Sequence, residues 1–360
     1  MCIRDRGAIP SGGVFNAAWK ANDSKLDEII VMKDILNRRV AGEALSENEA
    51  REIMLRIGQG EINPSQIAAF LSSYWFNPIQ VDELKGFVSA MMELAITVDL
   101  SEFDAMDVCG TGGDGKDTFN ISTTSSFIIV GAGQKIAKHG NHGVSSSVGS
   151  STVLEFLGLK FNNDPKILKR KMETAGMCFL HAPLFHPAMR FVGPIRKELG
   201  MKTFFNLLGP LLNPAKVTKQ ISGVYSPEAF ALYEGFFAGS GKQYGIVYAE
   251  DGYDEISLTS AFRLTTPEGA AIYNPSDIGC DVVAQSELFG GSNAEASANM
   301  LYKILQREGT PAQTQAVLAN AGAGLYVAGK AASLVEGYAL AKESLESGRA
   351  FQAFKKFIMD

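Results

Sequence analysis

The glycine-rich segment at residues 110–117, GTGGDGKD, carries the clearest chemical signal in the sequence. It matches the GxGxxG pattern of dinucleotide-binding loops, which also need an acidic residue about 20 positions later for the ribose hydroxyls. Residues 118–154 contain no Asp or Glu, so this interpretation fails. The segment also matches most of a Walker A loop, but Asp117 stands where a Ser or Thr hydroxyl should meet magnesium. Both nucleotide-binding motifs are therefore excluded.

A second loop, residues 139–151, shares the features that suit the first one to an anion. Glycines let backbone N–H groups approach a phosphate, and the positive end of a following helix adds to the attraction. The acid-free stretch supplies further donors, which are Lys135, Lys138, His139, His142, Ser145, Ser146, Ser147, Ser150 and Ser151. Together, the two loops fit a ligand with two phosphate ends. The alternative is a pair of tight turns that bind no ligand.

Alternating strands and helices are expected to position these loops. Strands are predicted at residues 106–109, 134–139, 219–224 and 244–248, and helices through Val153–Leu157 and at 294–305 and 331–345. The first two strands run directly into the two loops, and Ser122 or Thr123 is predicted to cap the helix after the first loop. This alternation indicates an α/β fold with a mainly parallel central sheet.

The chain before residue 100 has a helical pattern throughout. Three helix starts are predicted, at a capping box formed by Ser46 and Glu49 and at the pairs Asn63-Pro64 and Asn77-Pro78. A single helix is also predicted at residues 186–200, where it rejoins this bundle before the crossover at 209–215.

Composition excludes several classes of protein. The 360 residues are 46% hydrophobic and 20% charged, with a net charge of −6, which argues against a nucleic-acid partner. The four cysteines form no CxxC pair, a pattern typical of reduced thiols in a cytoplasmic protein. No apolar run approaches the ~20 residues that cross a bilayer, so no membrane partner is expected.

Three sequence blocks then resemble one enzyme family. They are DVCGTGGDGKDTFNIST at 107–123, AKHGNHGVSS at 137–146 and HPAMRFVGPIRKELGMKTFFNLLGPLLNPA at 186–215. In this order they are similar to anthranilate phosphoribosyltransferases, and the similarity runs from about Met32 to near the C-terminus. The resemblance implies a nucleoside phosphorylase/phosphoribosyltransferase-like fold, with the active site between a small helical domain and a larger α/β domain.

The domain boundaries follow from this combination. The small helical domain is predicted at residues 27–100, joined by about 181–200. The α/β phosphoribosyl-binding domain is predicted at residues 101–180 and 201–360. Residues 1–26 are expected to be a disordered tail or a faulty gene start, because they show neither helical nor strand periodicity.

The resemblance also implies the site residues. Those expected around phosphoribosyl pyrophosphate are Gly110, Gly113, Asp114, Thr118, Asn120, Ile121, Ser122, Thr123, Lys138, His139, Gly140, Asn141, His142, Gly143, Val144, Ser145, Ser146 and Ser150. Anthranilate is expected near Gly110, Asn141 and Arg196, with His139 and Pro210 close by. Mg²⁺, two ions per subunit, is expected at Ser122, Asp254 and Glu255. A homodimer formed through the helical domain is a further implication.

Three of these residue types suit their expected roles on chemical grounds. The guanidinium of Arg196 can bind a carboxylate through two hydrogen bonds, although an isolated helix arginine is usually solvated. Asp254 and Glu255 follow a strand, and Mg²⁺ is typically held by one or two carboxylates together with substrate phosphates. A surface turn is the ordinary alternative for that acidic pair. His142 departs from the arginine that many relatives carry there, so its charge depends on pH.

The reaction that the resemblance implies is a displacement at the anomeric carbon of phosphoribosyl pyrophosphate. The anthranilate amine attacks, pyrophosphate leaves, and N-(5-phosphoribosyl)anthranilate forms with inversion. Two rivals remain. A pyrimidine nucleoside phosphorylase would be expected to carry a KHSTGG-like loop where this chain has KHGN. A nucleic-acid-binding relative without enzymatic activity would need a basic surface.

Overall fold

The computed structural model describes residues 32–143 and 148–359 of the chain. The predicted tail at residues 1–26 lies outside this range. The described part has the expected architecture, in which a helical N-terminal unit lies beside a larger unit built on a mainly parallel sheet. None of its helices combines the length and apolar character needed to cross a bilayer.

The N-terminal unit contains four helices. They are α1 (residues 32–40), α2 (Glu47–Gln59), α3 (Pro64–Ser73) and α4 (Val81–Glu93). The predicted capping box at Ser46 is confirmed, since its hydroxyl accepts from the Glu49 N–H while the Glu49 carboxylate accepts from the Ser46 N–H. Asn63 caps α3, with Pro64 at the first helical position as predicted.

The predicted helix start at Asn77-Pro78 is wrong, because α4 begins at Val81. The Asn77 amide is used elsewhere, where it donates to the Arg39 carbonyl oxygen at 2.7 Å. The helix starts where the Glu83 carboxylate accepts from the Gln80 N–H at 2.9 Å. The contact between Asn77 and Arg39 therefore overrides the helix start that the local sequence predicts.

A buried ion pair holds these helices together. Arg39 is 1% exposed and Glu83 is 0% exposed, and the Arg39 Nη1 atom lies 3.0 Å from Glu83 Oε1. The same carboxylate oxygen accepts from the Leu45 N–H at 3.1 Å and the Tyr74 hydroxyl at 2.9 Å. Glu83 thus joins α1, α3 and α4, and burial and this carboxylate raise the pKa of Tyr74.

The central sheet has seven strands in the order β3-β2-β1-β4-β5-β6-β7. They are β1 (Met106–Gly110), β2 (Ile136–Gly140), β3 (Met177–His181), β4 (Lys219–Gly223), β5 (Gln243–Ala249), β6 (Phe262–Thr266) and β7 (Gly269–Tyr273). The first five strands in this order pair in parallel, whereas β6 and β7 pair antiparallel. The mainly parallel sheet is confirmed, and the antiparallel hairpin at its edge is an addition to it.

Helices cover both faces of the sheet. They are α5 (Ile121–Gly131), α6 (Ser150–Phe156), α7 (Pro165–Thr174), α8 (Ala182–Phe185), α9 (Gly193–Leu199), α10 (Phe205–Leu208), α11 (Pro227–Phe237), α12 (Ala294–Leu305), α13 (Pro311–Val327), α14 (Leu334–Glu346) and α15 (Arg349–Met359). The prediction for α12 is confirmed. The helix predicted from residue 331 begins at Leu334 instead, because Ser333 caps it.

Alternate residues of β5 divide between two cores. Val247 packs into a cluster with residues of α5 and α12–α15, whereas Ile246 and Tyr248 pack into a second cluster with α11 and the N-terminal helices. This is the side-chain alternation expected of a strand covered on both faces. The second core therefore continues from the helical unit onto the sheet.

The segment predicted as one helix at residues 186–200 is broken in two. A 3₁₀ turn over Pro187–Phe191 precedes α9, because Pro194 has no N–H to continue a hydrogen-bonded ladder. Ala188, Val192 and Ile195 from this segment belong to the same apolar cluster as α1–α4. The segment therefore packs on the helical unit, as expected, but with a bend.

We expect Glu83→Ala to destabilise the protein by about 3–5 kcal/mol, because it leaves the Arg39 charge buried without a partner. Glu83→Gln keeps hydrogen-bond acceptors and should cost less. Urea denaturation measures both changes. Glu52→Ala, an exposed position on α2, is the control and should leave the midpoint unchanged. Equal losses for Glu83→Ala and the control would show that the ion pair contributes nothing.

Candidate active site

A cavity of about 750 Å³ opens at the carboxyl ends of β1 and β2, facing α9 and α10. It brings together most of the predicted site residues. Those that line it are Gly110, Gly113, Asp114, Thr118, Asn120, Ile121, Ser122, Thr123, Lys138, His139, Gly140, Asn141, His142, Gly143, Ser150, Arg196, Asp254 and Glu255. Val144, Ser145 and Ser146 lie outside the described residues. Pro210 is not among the lining residues, although its neighbours Gly209 and Leu212 are.

The first loop is held against Asp254 by two glycines at neighbouring strand ends. Gly110 ends β1, Gly223 ends β4, and the two are paired in the sheet. A Cβ on Gly110 would lie 2.4 Å from Asp254 Oδ2, and a Cβ on Gly223 would lie 1.6 Å from the Asp254 carbonyl oxygen. Asp254 can therefore reach the loop only because both positions lack a side chain, and its Oδ2 accepts from the Gly112 N–H at 2.6 Å.

The start of α5 is capped from a distant part of the chain. The prediction that Ser122 or Thr123 caps this helix is wrong, because Asn120 is the N-cap and both hydroxyl residues lie within the first turn. Glu255 supplies the acceptor instead, with its Oε1 atom 3.2 Å from the Ser122 nitrogen. Adjacent carboxylates thus contact both ends of the first loop.

The second loop brings its two ends close together before α6. The Ser150 hydroxyl donates to the Asn141 carbonyl oxygen at 3.3 Å, and the Ser151 N–H donates to the same oxygen at 3.1 Å. A Cβ on Gly149 would lie 2.1 Å from the Gly143 nitrogen, so a glycine is needed at this approach. The His142 Nδ1 atom lies 3.2 Å from the Thr152 hydroxyl oxygen.

Carboxyl groups at this site are buried close to one another. Burial raises the pKa of Asp254 well above its usual value, and the nearby Asp114 and Glu255 raise it further. Burial also raises the pKa of Glu255, to about 7, although Lys138 and the Ser122 N–H oppose this shift. Asp114 Oδ2 is buried and has no hydrogen-bond partner among the described residues. Such a group is short of positive charge.

A divalent cation fits this deficit. The described residues contain no cluster of three or more His, Cys, Asp or Glu side chains arranged to hold a metal alone. Mg²⁺ does not need one, since it commonly takes one or two carboxylates and completes its octahedron with water and substrate phosphates. The unpartnered oxygen of Asp114 and the raised pKa values at Asp254 and Glu255 are what such an ion would relieve.

Two neutral histidines lie deeper in the cavity. His139 Nδ1 lies 3.1 Å from the Gly209 carbonyl oxygen and His186 Nε2 lies 2.9 Å from that of Leu212, so each of these nitrogens carries the proton. Burial lowers the pKa of His139 to about 3 and that of His186 to about 4. Their other ring nitrogens are buried and unpartnered within the described chain, so each is a free acceptor.

Arg196 lies on α9 on the other side of the cavity. Its Nη2 atom donates to Asn206 Oδ1 at 3.2 Å, and its guanidinium lies 5.3 Å from the centre of the Phe205 ring. Burial lowers the pKa of this guanidinium, and its Nε atom finds no acceptor in the part of the chain that the structure describes. A half-buried guanidinium with an unused donor is suited to an anionic ligand such as a carboxylate.

Comparisons with known proteins identify the family of the chain. Residues 33–95 match the helical bundle domain and residues 102–351 match the a/b domain of the glycosyl transferase family. Anthranilate phosphoribosyltransferase from Christiangramia forsetii is 50% identical over 325 residues, covering 90% of this chain and 98% of the relative. The enzyme of that name from Cytophaga hutchinsonii is 47% identical over 91% of this chain and 100% of the relative. The chain belongs to the anthranilate phosphoribosyltransferase family.

Solved structures of the anthranilate phosphoribosyltransferase family share the fold. The Thermus thermophilus enzyme is 37% identical, with a TM-score of 0.84 over 90% of this chain and 98% of that one. The Saccharomyces cerevisiae enzyme in complex with PRPP (phosphoribosyl pyrophosphate) and Mg is 26% identical, with a TM-score of 0.83 over 91% of this chain and 96% of that one.

Several residues at this family's site were not assigned a role from the sequence. Asn206 orients Arg196, Gly223 makes room for Asp254, and His186 pairs with His139 at 5.2 Å between ring centres. His186 and Asn206 lie within the third block of family resemblance, which could have indicated them. Gly223 has no local motif, and only its position at the end of a strand beside Gly110 reveals its importance.

We expect Glu255→Gln to stabilise the metal-free protein more at pH 8 than at pH 5. The folded-state pKa of Glu255, about 7, lies above its ordinary value of 4.5, so the wild type loses stability as pH rises between these values. The difference between variant and wild type should therefore grow by roughly 2 kcal/mol across this range. Urea denaturation in the presence of a chelator measures it. Glu268→Gln, at an exposed turn, should show no such growth; a pH-independent difference for Glu255→Gln would contradict the assignment.

Proposed function

We propose that this chain transfers the phosphoribosyl group of 5-phosphoribosyl 1-pyrophosphate to the amine of anthranilate, giving N-(5-phosphoribosyl)anthranilate and pyrophosphate in tryptophan biosynthesis. One observation carries the proposal. A single cavity is lined by two anion-binding loops and an acidic pair, with a half-buried guanidinium facing them. The size of the cavity, about 750 Å³, is in the range of sites for small-molecule substrates.

The phosphoribosyl pyrophosphate would lie between the two loops. The first loop lines the cavity with residues 110–114, 117 and 118 and leads to the N-terminus of α5, and the second supplies Lys138, Asn141 and the start of α6. Lys138 is only 1% exposed, and its ammonium group already donates to the Val108 carbonyl oxygen. A buried cation fixed in this way is a preorganised counter-charge for a phosphate. The yeast relative has been solved in complex with PRPP and Mg, which supports phosphoribosyl pyrophosphate as the ligand.

Asp254, Glu255 and Ser122 would hold Mg²⁺ at the pyrophosphate. Two ions fit the arrangement best, because Asp254 and Glu255 contact different ends of the first loop. When bound, Mg²⁺ neutralises the charge that develops on the leaving pyrophosphate. The protein's own part is to fix the carboxylates, which the hydrogen bonds from the Gly112 and Ser122 N–H groups do.

Anthranilate would lie beside Arg196, with its carboxylate on the guanidinium and its amine toward Gly110 and Asn141. The free acceptor nitrogen of His139 lies in the same cavity and can receive an N–H of the amine, which helps to orient it. A structure of the yeast relative in complex with 4-fluoroanthranilate supports an aromatic acid as ligand of the family. The Asn206 contact restricts the guanidinium of Arg196 before the substrate arrives.

The chemistry requires no strong base. An aromatic amine is uncharged at neutral pH, so its lone pair is available to attack the anomeric carbon as pyrophosphate leaves, with inversion. Catalysis then comes from positioning and from charge stabilisation by groups that the fold holds in place. His139 can orient the amine but is a weak proton acceptor, because burial lowers its pKa to about 3.

The proposal extends to the assembly and location of the enzyme. We propose a homodimer formed through the helical unit, where Val40 and Phe76 are 79% and 84% exposed. Large apolar side chains exposed on one unit favour contact with a partner. Cytoplasmic location is proposed from the cysteine pattern, since the described thiols of Cys109, Cys178 and Cys280 are all unpaired.

We expect Asp254→Ala/Glu255→Ala to lose turnover while retaining the fold. The loss of anthranilate fluorescence reports the reaction, and in the wild type it should require both phosphoribosyl pyrophosphate and Mg²⁺. Glu268→Ala is the matched control, since its carboxylate is exposed far from the cavity lining. Full activity in the double variant would show that the acidic pair has no role in the reaction. Loss of anthranilate fluorescence without added phosphoribosyl pyrophosphate would reject the transfer reaction itself.

Arg196→Lys should raise the KM for anthranilate roughly tenfold to a hundredfold, because lysine cannot make two parallel hydrogen bonds to a carboxylate. The KM for phosphoribosyl pyrophosphate should stay close to that of the wild type. Steady-state kinetics with each substrate varied in turn measure both constants. Lys197→Met, at the adjacent exposed position, is the control. An unchanged KM for anthranilate in Arg196→Lys would place the carboxylate elsewhere.

A further inference from the structure

Lys202 contacts the first loop from outside the cavity. It follows α9 in the short segment that leads to α10, and its ammonium group donates to the Gly113 carbonyl oxygen. The same ammonium lies 4.9 Å from the centre of the Tyr225 ring. The side chain is exposed on one side, but these two contacts restrict where its charge can lie. Lys202 belongs to the wall of a smaller neighbouring cavity of about 290 Å³, and is not among the described residues that line the active-site cavity.

The backbone of Lys202 is held by the helical unit. The indole N–H of Trp75, just after α3, donates to the Lys202 carbonyl oxygen at 2.8 Å. Lys202 therefore receives a hydrogen bond from the helical unit at its main chain and gives one to the α/β unit at its side chain. A continuous chain of contacts runs from Trp75 through Lys202 to Gly113.

The contact at Gly113 fixes the direction of a backbone donor in the loop. In a trans peptide the C=O and the following N–H point in opposite directions, and the described chain has no cis peptide bonds. Holding the Gly113 carbonyl oxygen therefore also orients the Asp114 N–H. Gly112 and Gly113 have φ values of +66° and +82°, which glycine adopts readily. Because both residues are glycines, this part of the loop has no side chains that could hold it in place.

The same segment also reaches the opposite side of the cavity. Asn206 Oδ1 accepts from the Thr203 N–H at 3.1 Å and from Arg196 Nη2 at 3.2 Å. Residues 202–206 thus contact the first loop through Lys202 and the guanidinium of Arg196 through Asn206.

We propose that Lys202 is a positioning residue, which couples the helical unit, through Trp75, to the orientation of the loop that binds the pyrophosphate of the substrate. This inference rests on the proposed function. Lys202 touches neither substrate, so its effect is on how well the loop is preorganised. It should therefore act on the phosphoribosyl pyrophosphate side of the reaction and leave anthranilate binding alone.

The test compares Lys202→Met, Lys202→Arg and Trp75→Phe with the wild type. Lys202→Met keeps most of the stem and removes the donor, and we expect the KM for phosphoribosyl pyrophosphate to rise roughly fivefold to tenfold, on the scale of one ordinary hydrogen bond, because the effect on the substrate is indirect. The KM for anthranilate should not change. Lys202→Arg retains a cationic donor and should recover most of the affinity. Lys197→Met removes an exposed lysine of α9 and should behave as the wild type.

A double-mutant cycle distinguishes coupling from a general structural defect. Trp75→Phe should raise the same KM about threefold, since it releases only the backbone of Lys202. If Trp75 acts through Lys202, then adding Trp75→Phe to Lys202→Met should cause no further rise. Calorimetric titration with Mg²⁺ and pyrophosphate should show the same order of affinities without turnover, and urea midpoints confirm that each variant is folded.

The outcomes separate this inference from the proposed function. Wild-type affinity for pyrophosphate in Lys202→Met overturns the role of Lys202 while leaving the transfer reaction intact. Additive effects of Lys202→Met and Trp75→Phe overturn the coupling through Trp75. An equal rise in both KM values also contradicts the proposal, because it indicates a general loss of structure. Absence of transfer in the wild type would instead reject the proposed function.

Discussion

The approach of Asp254 to the ends of β1 and β4 is the constraint on which the site depends. Two glycines, Gly110 and Gly223, leave the space that its carboxylate and carbonyl groups occupy. From that position Asp254 accepts from Gly112, and Glu255 accepts from Ser122 at the start of α5. One dipeptide after β5 thus sets the shape of a loop that is far away in the chain. Any side chain at either glycine would push the dipeptide out of its place.

The cost of this arrangement is electrostatic. Burying carboxyl groups near one another raises their pKa values, because neither water nor a protein cation fully compensates the charge. Lys138 opposes the upward shift in the pKa of Glu255, but its ammonium group is already bonded to a backbone carbonyl oxygen. A cation bound beside these carboxyl groups would compensate their charge and favour their ionised forms. Residues 118–154, which include the second loop, contain no Asp or Glu and so add no further repulsion toward a phosphate.

Local patterns in the sequence predict those elements whose partners are also local. The capping box at Ser46 and the cap at Asn63 depend on residues within one turn, and both are confirmed. The predicted start of α4 is wrong because the Asn77 carbonyl oxygen, which would accept the first hydrogen bond of the helix, accepts instead from Arg39, 38 residues away. The cap of α5 comes from Glu255, 133 residues after Ser122, and no window of sequence contains both. The glycine-rich loops were visible because backbone conformation is a local property, whereas Gly223 and Lys202 matter only through what the fold places beside them.

Strand order gives the site its location. From β1 the chain passes through α5 to β2 on one side, whereas from β4 it passes through α11 to β5 on the other. The helices that leave these two neighbouring strands lie on opposite faces of the sheet, α5 in one apolar cluster and α11 in the other. Chains that diverge in this way open a crevice at the carboxyl edge, the topological switch point where ligands of open α/β sheets bind. The position of the cavity thus follows from the order in which the strands are connected. Substitutions in the outer helices can change the residues at its opening without moving the strand ends that form its base.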